Sequence, residues 1–305
     1  MSSDITLFVN PTAGRGRGAR AARPAADALR EAGHRVRTVL GLDAADALRR
    51  AREAVDAGTG ALVAVGGDGL VSLALQAVAG TPTPLGVVAV GTGNDFARTL
   101  GLPVRAPAAA ARLTAALLKG DGPRTVDLGR VTTPTGPRWY GTVLASGFDS
   151  RVNDRGNRMR LPAGRFKYDL AILAELAAFK AVPYRLVLDD GRTVETPATL
   201  VAVGNGTSYG GGMRICADAR PDDGLLDVTV VGDVDRTTLL KVFPRVYRGT
   251  HLDHPAVTTH RVRSVTLDAP ATTGYADGEP LGPLPLTVEC APGALRVLAP
   301  PASPS

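Results

Sequence analysis

Ala61-Leu62-Val63-Ala64-Val65 and Leu85-Gly86-Val87-Val88-Ala89-Val90 are runs without a polar side chain, and each stops at a glycine cluster. A short continuous apolar run reads as a strand buried on both faces, as in a parallel sheet covered by helices on two sides. The flanking sequence repeats the unit. Ile5 to Val9 reads as a strand, and a Gly/Arg-rich turn leads to a helix from about Arg17 to Ala32 that stops at Gly33. Arg35 to Leu40 reads as a short strand and Ala44 to Ala57 as a helix. Leu70 to Ala79 follows as a helix, a short one begins at Phe96, and Pro107 to Leu118 closes the series. Repeated βα units predict an α/β domain with a parallel sheet.

After Gly120 the texture changes. Strand candidates at Thr125–Val131, Trp139–Ser146, Arg185–Leu188, Leu200–Val203, Leu226–Val231, Val262–Leu267 and Leu286–Glu289 are separated by Gly, Pro and Asp turns. This spacing predicts an antiparallel β-sandwich. Helices are expected to interrupt it at about Gly164–Lys180 and Arg236–Tyr247, the second capped by Asp235. At 305 residues two domains are expected, over 1–122 and 123–298, with 299–305 a frayed tail.

Lys and Arg exceed Asp and Glu by 35 to 29, a mild excess suited to phosphate ligands or an anionic membrane surface. Cys216 and Cys290 stand alone, without metal-like or disulfide spacing. No signal peptide is apparent, and no apolar stretch reaches the roughly 18 residues of a membrane span. A cytoplasmic protein is expected, able to sit peripherally on the inner face of the membrane. His251-x-x-His254 with His260 lacks the Cys partners and spacing of a zinc site. No nucleic-acid recognition motif is present, and the few aromatics leave little for base stacking.

Three glycine-rich turns follow predicted strands. Asn10-Pro11-Thr12-Ala13-Gly14-Arg15-Gly16 opens a helix and can present backbone N–H groups to a phosphate. It is no Walker A loop, and the acidic ribose ligand of a dinucleotide fold is missing after the next strand. The plain alternative is a surface turn. Gly66-Gly67-Asp68-Gly69 lies at the C-terminal end of a buried strand, the edge where open α/β sheets bind ligands, and its carboxylate can hold Mg²⁺. Gly91-Thr92-Gly93-Asn94-Asp95 repeats that geometry one strand on, although Asn94 or Asp95 would also serve as a helix cap.

These three segments, in this order and spacing, resemble the diacylglycerol kinase catalytic-domain family, which includes bacterial soluble lipid kinases and is related to sphingosine kinases. The resemblance continues through Gly204-Asn205-Gly206, Tyr209-Gly210-Gly211-Gly212, Pro221-Asp222-Asp223-Gly224-Leu225-Leu226-Asp227 and Tyr275-Ala276-Asp277-Gly278-Glu279. It implies an NAD-kinase-like α/β nucleotide domain, a C-terminal β-sandwich and an active site in the cleft between them. It implies that Asn10, Pro11, Thr12, Ala13, Gly14, Thr38, Gly66, Gly67, Asp68, Gly69, Leu70, Val71, Ser72, Thr92 and Asn94 hold ATP. Asp68, Asp95 and Asp127 would position Mg²⁺, Glu279 would act as general base beside Asp277, and a second Mg²⁺ would bind the Asp223 side chain and the Arg220 and Leu225 carbonyls. The implied activity is transfer of the γ-phosphate to diacylglycerol or a related lipid alcohol during transient membrane contact. Family behaviour leaves a homodimer open.

Read without that resemblance, Asp277-Gly278-Glu279 and Asp222-Asp223-Gly224 are turns before strands. Where the family usually has Thr after Gly-Gly-Asp-Gly this chain has Leu70, and Leu73 replaces a frequent Glu. Two other readings therefore stand beside the lipid kinase: a soluble-acceptor kinase of the NAD kinase type, and a non-catalytic nucleotide- or lipid-binding regulator. The basic stretch from Arg151 to Lys167 is interleaved with Asp154 and reads as a solvated face, with an anionic membrane as the alternative.

Overall fold

The computed structural model describes residues 4–104, 106–134, 136–147 and 181–302. The expected helix at 164–180 and the basic stretch at 151–167 lie outside the described residues. In the first half β1 (Asp4–Val9), β2 (Arg35–Val39), β3 (Ala61–Gly66) and β4 (Leu85–Ala89) form a parallel sheet in the order β4-β3-β1-β2. Alternate side chains enter opposite layers, as the strand period of two requires. Ile5, Leu7, Val9, Val63 and Val65 pack under the alanine-rich faces of α1 (Ala13–Glu31) and α5 (Pro107–Lys119). Phe8, Leu62, Ala64 and Val87 meet α2 (Ala44–Asp56) and α3 (Asp68–Val78) on the other side. Burial of β3 and β4 from both faces explains their lack of polar residues.

The second half is a β-sandwich-like domain. Its strands are β5 (Arg124–Thr133), β6 (Gly136–Tyr140), β7 (Val143–Gly147), β8 (Val182–Leu188), β9 (Thr193–Gly204), β10 (Leu226–Gly232), β11 (Val257–Val262), β12 (Ser264–Asp268), β13 (Thr273–Ala276), β14 (Glu279–Pro283) and β15 (Leu286–Val297). Their inner residues, among them Tyr140, Leu144, Leu186, Val203, Val228 and Val288, share one apolar core. The expected helix after Asp235 is α6 (Arg236–Arg248), with the Thr238 amide donating to the Asp235 carboxylate at 2.7 Å and left-handed Gly249 ending it. No helix among the described residues is long and apolar enough to cross a membrane.

Several boundaries differ from the sequence reading for identifiable reasons. The expected strand Trp139–Ser146 is two strands, because Gly141 passes over the Phe96 ring so closely that a Cβ would stand 2.5 Å from Phe96 Cδ2. Val262–Leu267 likewise splits at Arg263, whose amide donates to Asp189 at 2.6 Å. The helix expected from Arg17 does run regularly from there to Glu31; α1 is extended back to Ala13 only by a separate turn, joined to it across left-handed Gly14, Arg15 and Gly16. The strand expected at Leu286–Glu289 runs on to Val297 and returns to the first half. There Val297 lies opposite Leu85 of β4, and the Leu298 amide donates to the Leu85 carbonyl at 2.8 Å.

Candidate active site

β1, β3 and β4 end side by side, and the loops leaving them approach backbone to backbone. A Cβ on Gly91 would stand 2.6 Å from Gly67 Cα and 2.8 Å from Asn94 Oδ1. Only hydrogen fits there. In the first loop Asn10 Oδ1 accepts from the Thr12 amide (3.0 Å) and hydroxyl (2.8 Å), while Gly14 and Gly16 supply left-handed turns. Arg17, which sequence reasoning missed, donates from Nε to the Gly14 carbonyl (2.9 Å) and from Nη2 to the Gly91 carbonyl (3.3 Å). It ties the first loop to the third. Gly91→Ala is expected to cost about 1–3 kcal/mol, because two backbones must separate to admit a methyl group. Urea denaturation measures that cost, and a native midpoint would show that the loops have slack.

A carboxylate joins the second and third loops. Asp68 accepts the Asn94 amide on one oxygen (2.7 Å) and the Asp95 amide on the other (2.8 Å), fixing the start of α4 (Asp95–Thr99). Asn94 is left-handed and donates to the Gly91 carbonyl at 3.1 Å. Asp95 is buried. One of its oxygens accepts the Gly211 amide at 2.7 Å, and the other has no hydrogen-bond partner. Burial pushes its carboxyl up to about 6 and the Asp68 charge adds to the rise, against the pull of the Gly211 amide.

The second half closes over these loops. Gly210, Gly211 and Gly212 are all left-handed, which lets the segment lie against α4. The two-residue turn between β13 and β14 has positive φ at Asp277 (49°) and Gly278 (85°), as a tight hairpin requires. Asp277 accepts the Gly141 amide (2.8 Å) and the Thr142 amide (2.9 Å), so the β6–β7 break supplies its partners. Removal from water and the Asp68 charge hold its carboxyl above the ordinary range. Glu279 leaves the hairpin exposed, and its Oε1 lies 3.7 Å from where a Cβ on Gly69 would stand. The hairpin turn and the site beside Gly-Gly-Asp-Gly are therefore one object.

Other expected site residues are placed differently from one another. Leu70, Val71 and Ser72 are buried, and Leu70 packs beneath Gly66 in the first-half core, so it faces no ligand space. Pro11, Thr12, Thr38 and Thr92 are exposed at the same sheet edge. Asp127 has hydrogen-bond partners different from those of Asp68 and Asp95. Its oxygens accept the amides of Gly224 (2.7 Å) and Gly293 (2.8 Å), and its own amide donates to Pro221 (2.7 Å). Asn205 bridges it to the site, donating to the carbonyls of Asp127 (3.0 Å) and Gly141 (3.2 Å). Asp223, Arg220 and Leu225 belong to the Asp127 side, where Asp223 pairs with Arg261.

Among the described residues no three His, Cys, Asp or Glu side chains converge to hold a metal unaided. The donors at the site are nonetheless hard oxygens, and one Asp95 oxygen is free. Mg²⁺ is usually held by one or two carboxylates together with substrate phosphates, and the residues present fit that mode.

The sequence pattern of the diacylglycerol kinase catalytic domain matches residues 4–131, and that of the YegS C-terminal NAD kinase beta sandwich-like domain matches 142–299. A diacylglycerol kinase of Mycobacterium tuberculosis is 45% identical over 298 residues, covering 97% of this chain and 95% of that protein. A "Probable lipid kinase YegS-like" of Xanthomonas axonopodis is 33% identical and covers 91% of each chain. A solved diacylglycerol kinase structure from Bacillus anthracis has a TM-score of 0.74 at 22% identity, covering 98% of this chain and 97% of that one; at this identity it speaks for the fold.

Proposed function

The chain belongs to the diacylglycerol kinase catalytic-domain family of lipid kinases, and from that premise we propose that it transfers the γ-phosphate of ATP to the free hydroxyl of diacylglycerol or a related lipid alcohol. One observation carries the reading. Glu279, from the second half, reaches Gly69 of the nucleotide loop of the first, so a carboxylate and a phosphate-binding turn face the same space.

Phosphoryl transfer needs little covalent help from protein; it needs positioning and charge compensation. The glycine turns after β1, β3 and β4 hold the phosphates through backbone amides, with Asn10 to Gly14 on one side and Thr92 on the other. Asp68 sets the register between the second and third loops. Asp95, with its free oxygen, and Asp68 are the residues that would hold Mg²⁺ against the phosphates. When bound, that ion neutralises charge on the transferring group. Glu279 accepts the proton of the lipid hydroxyl as its oxygen bonds to the γ-phosphorus and the bond to the ADP oxygen breaks. Asp277 is spent on the Gly141 and Thr142 amides and the Thr142 hydroxyl, and positions the hairpin that carries Glu279. Because the acceptor sits in a bilayer, the enzyme works in transient contact with the membrane surface.

Transfer from γ-labelled ATP to diacylglycerol, monoacylglycerol, ceramide and sphingosine in mixed micelles tests the reading, with NAD as a soluble acceptor. Label is expected in the organic phase and strongest on a glycerolipid. Label on NAD alone would move the chain to the soluble-acceptor class, and ATP binding with no transfer to any acceptor would favour a regulator.

A further inference from the structure

The second Mg²⁺ that the family resemblance implies would use Asp223 with the carbonyls of Arg220 and Leu225, and in this chain that carboxylate is already paired with a cationic side chain. One oxygen of Asp223 accepts the Leu225 amide at 3.1 Å, which closes its own turn. The other is bonded to Arg261 Nη2. The Arg261 Nε lies 3.7 Å from Asp227, so a single guanidinium lies against two carboxylates that otherwise repel each other. The strand ladder fixes its position: Asp227 of β10 lies directly opposite Arg261 of β11 in antiparallel register. A divalent ion at Asp223 would face this guanidinium across one carboxylate group. The residues do not suit a metal.

We propose that Arg261 is the resident cation of this loop and holds residues 220–225 in place without a divalent ion. The consequence extends to the active site through a continuous set of hydrogen bonds. The loop receives the Asp127 amide at Pro221 and donates the Gly224 amide to the Asp127 side chain. The Asp127 carbonyl, with that of Gly141, accepts the Asn205 side chain. The Gly141 amide in turn holds Asp277 at the base of the hairpin that carries Glu279. Arg261 is thus a positioning residue, and the active site keeps its shape when Mg²⁺ is scarce.

Thermal unfolding of the full chain in EDTA and in Mg²⁺, without nucleotide, tests this apart from any activity. Mg²⁺ is expected to shift the wild type and Asp223→Asn by the same amount, because whatever it stabilises does not involve Asp223. Arg261→Met is expected to melt on the order of 3 °C lower in EDTA. Mg²⁺ then restores it, the restoration disappears in Arg261→Met/Asp223→Asn, and Arg261→Lys stays close to the wild type. A wild-type Mg²⁺ shift lost in Asp223→Asn would overturn the proposal. So would an Arg261→Met protein that melts like the wild type in EDTA, or one that Mg²⁺ does not restore. If Asp223→Asn fails to fold, Mn²⁺ counted by electron paramagnetic resonance decides: Arg261→Met gains one site over the wild type, and equal numbers refute the idea. Since none of these readouts uses phosphoryl transfer, failure here leaves the kinase reading untouched.

Discussion

Replacing Asp95 with Asn is expected to raise the midpoint of thermal unfolding at pH 8 by about 5 °C while lowering kcat at least ~100-fold. Burial holds this carboxyl at about 6, above its ordinary 3.8. Folding above pH 6 therefore places a charge where the protein disfavours it, and the difference corresponds to about 3 kcal/mol. The sign follows from that direction. The cost is complete above the folded pKa, shrinks as pH falls toward 4, and vanishes below the ordinary value. The advantage of the Asn variant should therefore be largest at pH 8 and absent near pH 4. Asn keeps an oxygen for the Gly211 amide, so the loop geometry survives. What it loses is the anion that would hold Mg²⁺, and so the same change that stabilises the fold removes the chemistry. Mg²⁺ affinity of the free protein should also fall as pH drops through 6 and Asp95 takes up a proton. A variant less stable than the wild type at pH 8 would show that the buried charge is compensated in some other way.

Glu279→Gln should separate the two properties completely. The side chain is exposed and has no hydrogen bond or ion pair with any described residue, so the melting temperature should stay within about 1 °C of the wild type. ATP affinity by calorimetry should be unchanged as well. Only kcat falls, by about 10²–10⁴-fold, the usual contribution of a general base. Full activity in this variant would remove Glu279 from the mechanism and leave the hairpin as a lid over the glycine loops.

The two variants also show which parts of the site were legible beforehand. The glycines at the ends of β1, β3 and β4 announced themselves because a strand buried on both faces must stop at a residue without a side chain when a second backbone passes close by. The carboxylates Asp68 and Asp95 could be placed at the same sheet edge for that reason. Asp277 and Glu279 could not be placed from local pattern alone: a two-residue turn looks the same whether it faces solvent or the glycine loops of another domain, and only the resemblance pointed to the latter. Gly141 was hidden because a strand that yields to a ring beneath it leaves no polar signature. Asp127 was grouped with Asp68 and Asp95 by the resemblance alone, since an acidic residue within a strand carries no local label for its partners. Its neighbours, Gly224 and Gly293, are 97 and 166 residues distant in sequence. The strand that ends at Val297 was foreseen as four residues, since its pattern breaks at the bulge between Ala291 and Leu295.

That returning strand bears on the order in which the protein can be made. β4 has β3 on one side and its other edge is met by Val297, while Leu295, Val297 and Ala299 fill the core shared by α2 and α3. During synthesis the parallel sheet therefore emerges with the Leu85 end of β4 unpaired and a gap in its core, and it stays so until almost the whole second half has left the ribosome. Contacts of such sequence separation form slowly, and an unpaired apolar strand is a template for association with other chains. The first half is thus a dependent body during biogenesis: its core is completed by a late segment of the second half, and nascent chains that stall before Leu295 are the ones most exposed to aggregation.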